Sequence, residues 1–139
     1  MKMNRIKQLQ AITELFAFKT IHDETGSEYV VFRNSVHEDA QGVGDKTAFE
    51  ALENHVHLLE RVKQKEMPAL TQIGTHLANA LLASLKRSYP AKNFYVYVTI
   101  SLGNSFIVRF HQQWRGEAPY LDPDAFREAD QEKLILLKG

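Results

Sequence analysis

Residues 94 to 114 read FYVYVTISLGNSFIVRFHQQW, and their reading decides the fold. Before the turn, Phe94, Val96, Val98 and Ile100 fall on one side of an extended chain, with Tyr95, Tyr97 and Thr99 on the other. After it, Phe106, Val108 and Phe110 oppose Ile107, Arg109 and His111. Alternation with period 2 over this length marks strands with one buried face. A two-residue Gly103-Asn104 turn would set Val98 against Arg109 and Val96 against His111, mixing core and solvent on each face. A three-residue loop, Leu102 to Asn104, sets Ile100 against Phe106, Val98 against Val108 and Val96 against Phe110. The other face then pairs Thr99 with Ile107, Tyr97 with Arg109 and Tyr95 with His111. A one-residue slip carries every side chain to the wrong face, so the apolar pattern selects the longer loop. Asn104 is expected to take the left-handed conformation that such loops need at their last position.

The apolar face needs a cover. Leu70, Ile73, Leu77, Leu81 and Leu85 recur at helical spacing, with Pro68 in a first turn and Pro90 as a stop, predicting a helix over 68–89. Phe49, Leu52, Val56 and Leu59 repeat the spacing just upstream, and Thr47 with Glu50 fits a capping box. These predict a helix over 47–66, antiparallel to the next. Ile6, Leu9, Ile12, Leu15 and Phe16 predict an amphipathic helix over about residues 4–20, ended by the polar cluster from His22 to Gly26. Residues 28–33 read as a strand and 37–46 as irregular. Asp122-Pro123 resembles an N-cap with a first-turn proline, opening a short helix through Asp130. The apolar tail from Leu134 to Leu137 reads either as a last strand or as a segment docked on a partner.

The expected fold is therefore α+β and two-layered: an antiparallel sheet of about three to four strands on the helix pair 47–66 and 68–89, plus an N-terminal helix. A chain of 139 residues, 44% hydrophobic and 24% charged, suits one ordinary domain over 1–139. Basic and acidic residues number 17 each, without the excess that phosphate backbones attract, so nucleic acid is not an expected partner. The absence of cysteine removes disulfides, thiolate metal sites and cysteine catalysis. The amino terminus lacks the apolar run of a signal peptide, and no stretch approaches the roughly 20 residues that cross a bilayer. The expected address is cytoplasmic, without membrane contact.

The motifs for chemistry fall short. There are six histidines, His22, His37, His55, His57, His76 and His111, none four apart beside a glutamate as a helical zinc motif requires. On the predicted helix, His55 and His57 sit about 200° apart and cannot share an ion. Gly42 to Thr47 lacks phosphate-loop spacing and would bring Asp45 against an anion. Ser105 stands in a hairpin rather than at a strand-to-helix elbow. Glu117, Asp122 and Asp124 are ordinary loop acids. No catalytic residue, metal ligand or cofactor is assigned.

What remains is the second face of the hairpin, with Tyr95, Tyr97, Arg109 and His111 together. Its simplest reading is a solvated face where Arg109 lies over a tyrosine, a contact contributing about 0.5–1 kcal/mol. The sharper reading is a recognition surface, since Tyr and Arg are enriched among residues that carry binding energy. Trp114, in phase with Val108 and Phe110, either closes the end of the core or lies at the sheet edge beside Tyr120 as part of a contact. The expected function is a non-enzymatic, immunity-like module binding a protein partner through Tyr95, Tyr97, Arg109, His111, Trp114 and Tyr120. The competing reading is a small-molecule-binding protein or enzyme with a His111, Arg109 and Tyr95 pocket, roofed by residues 37–46. A third is a homodimer through an open sheet edge or the 134–137 tail.

Overall fold

A computed structural model describes residues 5–126 and 132–139. Among these residues there are three helices, α1 (Arg5–Glu14), α2 (Lys46–Glu53) and α3 (Met67–Ser88). Strands β1 (Phe18–His22) and β2 (Glu28–Phe32) form a two-stranded antiparallel sheet. Strands β3 (His55–Leu59), β4 (Phe94–Ser101), β5 (Phe106–Gln112) and β6 (Glu132–Lys138) form a second antiparallel sheet, in the order β3-β5-β4-β6. The class is α+β.

The β4–β5 hairpin has the expected register throughout, from Ile100 opposite Phe106 to Tyr95 opposite His111. Its left-handed residue is Gly103, at φ 73°, rather than Asn104. Glycine enters that region without the clash of a Cβ, so it takes the position ahead of its neighbour. Phe94, Val96, Val98, Ile100, Phe106, Val108 and Phe110 form the centre of the core. Leu70, Ala78, Leu81 and Leu85 of α3 are buried in the same cluster. Gly74 allows the close approach: a Cβ there would meet Val98 Cγ1 at 2.9 Å and Ile135 Cδ1 at 3.0 Å. The tail is a strand, since Ile135 pairs with Val98 and Leu137 with Val96 across β4 and β6.

The antiparallel helix pair does not exist. The second helix ends at Glu53, and His55–Leu59 forms β3 on the outer edge of β5. Leu52, Val56 and Leu59 do fit a helical period, but His55, Val56 and His57 equally alternate, and β5 has an edge to fill. The exposure of Leu52, at 56%, shows that no helical stripe is buried there. The cap also moves: Asp45 accepts from Ala48 N at 2.9 Å, leaving Glu50 for a different role.

The first helix likewise stops early, at Glu14, and Phe18–His22 pairs with β2. The cluster that was to end a helix is instead a hairpin turn. Asp23 Oδ1 accepts from Thr25 N, Thr25 Oγ1 and Ser27 N, and Gly26 sits at φ 85°. Those donors, the Thr25 hydroxyl foremost, pull the Asp23 carboxyl down to about 2. Residues Pro123–Phe126 make one 3₁₀ turn, and 127–130 of the expected short helix lie outside the described residues.

Candidate functional site

Tyr97 and His111 were to be available on the second face of the sheet, yet their exposures are 0% and 1%. The chain after β5 returns across them. Tyr97 Oη lies 2.8 Å from His111 Nε2, and His111 Nδ1 lies 2.7 Å from Gln112 O. A carbonyl only accepts, so Nδ1 carries the proton and Nε2 is the acceptor. Nε2 then receives the Tyr97 hydroxyl and, at 3.2 Å, the Tyr120 N–H. Burial pushes the His111 imidazolium down from its ordinary value and the Tyr97 phenol up to about 12.

Tyr95 and Arg109 are half-buried on the same face. The ring over Arg109 belongs to Tyr120, 4.9 Å from the guanidinium carbon, rather than to Tyr97. Arg109 donates to Ala51 O at 2.5 Å, and His55 Nδ1 lies 2.6 Å from Leu52 O. Both carbonyls belong to the last turn of α2, where the helix dipole favours positive charge. Arg109 and His55 therefore finish a short helix, a role the sequence could not reveal while His55 was read as part of that helix. His55 and His57 share one side of β3 with ring centroids 5.4 Å apart, the opposite of the helical expectation. Among the described residues no group of three or more His, Cys, Asp or Glu side chains could hold a metal ion.

Trp114 closes a second, smaller core, 5.2 Å from the Tyr29 ring and alongside Phe49. Its Nε1 donates to Glu50 Oε1 at 2.7 Å. Glu50 is the residue that motif reasoning missed. It is fully buried, and its two oxygens also accept from Gln112 N at 2.8 Å, Gln112 Nε2 at 2.7 Å and Val30 N at 2.9 Å. One turn on, Asn54 donates to Val30 O and accepts from Phe32 N. Glu50 and Asn54, four apart on one side of α2, thus satisfy the free edge of β2 and tie it to β5. Burial pushes the Glu50 carboxyl up to about 7, against the pull of its donors. The i, i+4 spacing of Glu50 and Asn54 on the side of α2 facing the core was the available signal.

Away from this polar seam lies an apolar surface. None of the side chains of α1 is buried, and Ile6, Leu9, Ile12 and Phe16 are 63%, 61%, 41% and 39% exposed. Beside them a groove of about 200 Å³ opens between α1, β3 and α3, walled by Ile12, Leu59, Leu70, Ile73, Leu77 and Phe106. Comparison with protein-family models, with curated proteins and with solved structures finds no match for this chain.

Proposed function

We propose that this chain is a non-catalytic binding module that meets another protein through α1 and the groove beside it. The observation that carries this reading is that α1 buries no side chain while presenting Ile6, Leu9 and Ile12, with Phe16 exposed just beyond its end. A helix of ten residues is marginal by itself, and its stability comes from covering an apolar face. Covering such a side chain contributes roughly 1.5–3 kcal/mol, so a partner that fills the groove and lies over α1 supplies what the fold leaves out. The partner's matching chemistry is an amphipathic segment whose Leu-, Phe- or Met-like anchors enter the groove. The contact surface moves away from Tyr97 and His111, which the 113–122 segment seals.

A pocket built on His111, Arg109 and Tyr95 has less behind it, because both ring nitrogens of His111 are occupied within the chain. The same reading takes the chain as one cytoplasmic domain; no helix among the described residues is long and apolar enough to cross a membrane. The test is affinity capture with the wild-type chain and with Leu9→Asp and Ile73→Asp side by side, followed by affinity measurement with the purified partner. The expected result is a specific partner whose affinity falls at least about tenfold in both variants, with unchanged melting temperature. Equal binding by the variants, or no partner that distinguishes them, would sink the reading.

A further inference from the structure

The irregular segment that crosses the sheet is held by contacts of two kinds. Its first half is anchored by a partly buried indole, through Trp114 and Glu50, and by the Glu117 carboxylate, which accepts from Thr47 N at 2.8 Å. Its second half, residues 118–122, rests on His111 through the Tyr120 N–H and on Arg109 through the Tyr120 ring. No strand pairing holds residues 118–122, and beneath them lie two of the most fully buried polar side chains of the chain. We infer that residues 118–122 form a proton-released strap, closed while the His111 imidazole is neutral and lifted from the Tyr97–His111 face when that ring takes up a proton.

The reason is a count of donors and acceptors. In the closed state Nδ1–H is committed to Gln112 O, so Nε2 must accept. A second proton on Nε2 turns the acceptor of the Tyr120 N–H into a donor facing a donor. The Tyr97 hydroxyl can rotate to accept it, but the peptide N–H of Tyr120 cannot. Lifting the strap removes the opposed donors and lets water solvate the imidazolium. Burial and the Arg109 charge beside it make the closed site resist a proton, while Glu117 of the strap segment and Asp45 ahead of α2 favour one from further off. The phenols of Tyr95 and Tyr97 on β4 and of Tyr120 complete the groups around the ring. The closed state therefore binds the proton less tightly than the open one, and opening is promoted as pH falls below the ordinary histidine range. The face so uncovered carries Tyr95, Tyr97, Arg109 and His111.

Backbone amide hydrogen exchange of the full chain, followed by NMR from pH 7.5 to pH 5 and corrected for intrinsic rates, tests this. Protection at Tyr120 is expected to fall by up to about tenfold per pH unit, the limit for one coupled proton. Val98 and Val108 in the strands should keep theirs, and the midpoint should follow the His111 ring titration in the same spectra. The variant His111→Asn, which can accept without titrating, should exchange at Tyr120 independently of pH. Constant protection at Tyr120 across the range overturns the strap, and so does loss together with the strand amides in one step. Neither outcome bears on the apolar surface of α1, which lies outside these contacts.

Discussion

α1 and α2 are nearly equal in length and break the rule of apolar inside, polar outside in opposite directions. The eight-residue α2 buries Glu50 and no leucine, and leaves Leu52 in solvent. The ten-residue α1 buries nothing, and leaves isoleucines and a leucine in solvent. Their surroundings explain the difference. α2 lies where the free edge of β2 meets the end of β5, so it faces backbone donors that need acceptors, and Glu50 and Asn54 provide them. α1 lies at the rim, chiefly against β3, and among the described residues it leaves Ile6, Leu9 and Ile12 exposed. Burial here follows what the neighbouring backbone demands, more than how greasy a helix is.

The largest expected effect tests the α2 half of that contrast. Glu50→Ala leaves Val30 N, Gln112 N and the part-buried Trp114 Nε1 without their acceptor, and removes one of the two acceptors of Gln112 Nε2, which keeps Glu28 O. At about 1–3 kcal/mol for each buried donor left unpaired, a loss of roughly 4 kcal/mol or more is expected. That is a large part of the about 5–15 kcal/mol typical of a whole domain. Urea unfolding at neutral pH, followed by circular dichroism, measures it. A cost near 1 kcal/mol would mean that water replaces the carboxylate and that the seam is not sealed.

The charge on that carboxyl gives the next effect. Burial raises the folded-state pKa of Glu50 from an ordinary 4.5 to about 7, so the native state holds the proton more tightly than the unfolded chain. Its contribution is fully present below pH 4.5 and is lost as pH rises through about 7. Relative to Glu50→Gln, the wild type should gain stability between pH 8 and pH 5, by about 3 kcal/mol at most. His111, pushed down by burial, acts in the opposite sense, with stability lost as pH falls below its ordinary value. It does so in both proteins and drops out of the difference. Paired urea titrations across that range check the sign, and a difference that grows with rising pH would refute the raised pKa.

The hairpin register was legible in the sequence, though not which loop residue turns left-handed, because its alternation is strict and one slip would expose the whole core, so local pattern and global packing agree. Helix α3 was legible in its extent, with proline at each end and five leucine or isoleucine positions in phase, but its stripe was not: Ile73 is 50% exposed and Gly74 and Ala78 take the buried face. Residues 18–22 and 55–59 were not legible, since Phe18 and Ile21 stand at helical spacing and residues 55–59 match either period over so short a run. Which period wins is decided by a partner strand far away in sequence, β2 for one and β5 for the other. The candidate face failed differently. The pattern correctly put Tyr97 and His111 on the side away from α3, but it could not show that residues 113–122 come back over them. Such a segment has no period, and its contacts are scattered: single hydrogen bonds, the Trp114 ring against Tyr29, and cation–π pairs at Trp114 and Tyr120. Glu50 was visible only as half of a capping box, a local motif that its tertiary role displaced.

The smallest expected effect belongs to α1 and completes the contrast. Leu9 is 61% exposed and lies outside the core cluster, so Leu9→Ser removes little that folding has buried. Surface changes of this kind shift stability by about 0.5 kcal/mol or less. Serine lowers helix propensity by a few tenths of a kcal/mol against leucine, which falls within the same allowance. Thermal unfolding of the dilute variant should therefore overlay the wild type, in contrast to Glu50→Ala. The useful reading is at higher protein concentration or with a partner present. If the wild type melts higher there and the variant does not, the side chain is being covered by another molecule, because binding to the native state raises its apparent stability by mass action. If the variant is already weaker when dilute, by more than about 1 kcal/mol, Leu9 is packed within its own chain. α1 would then not be the uncovered helix described here.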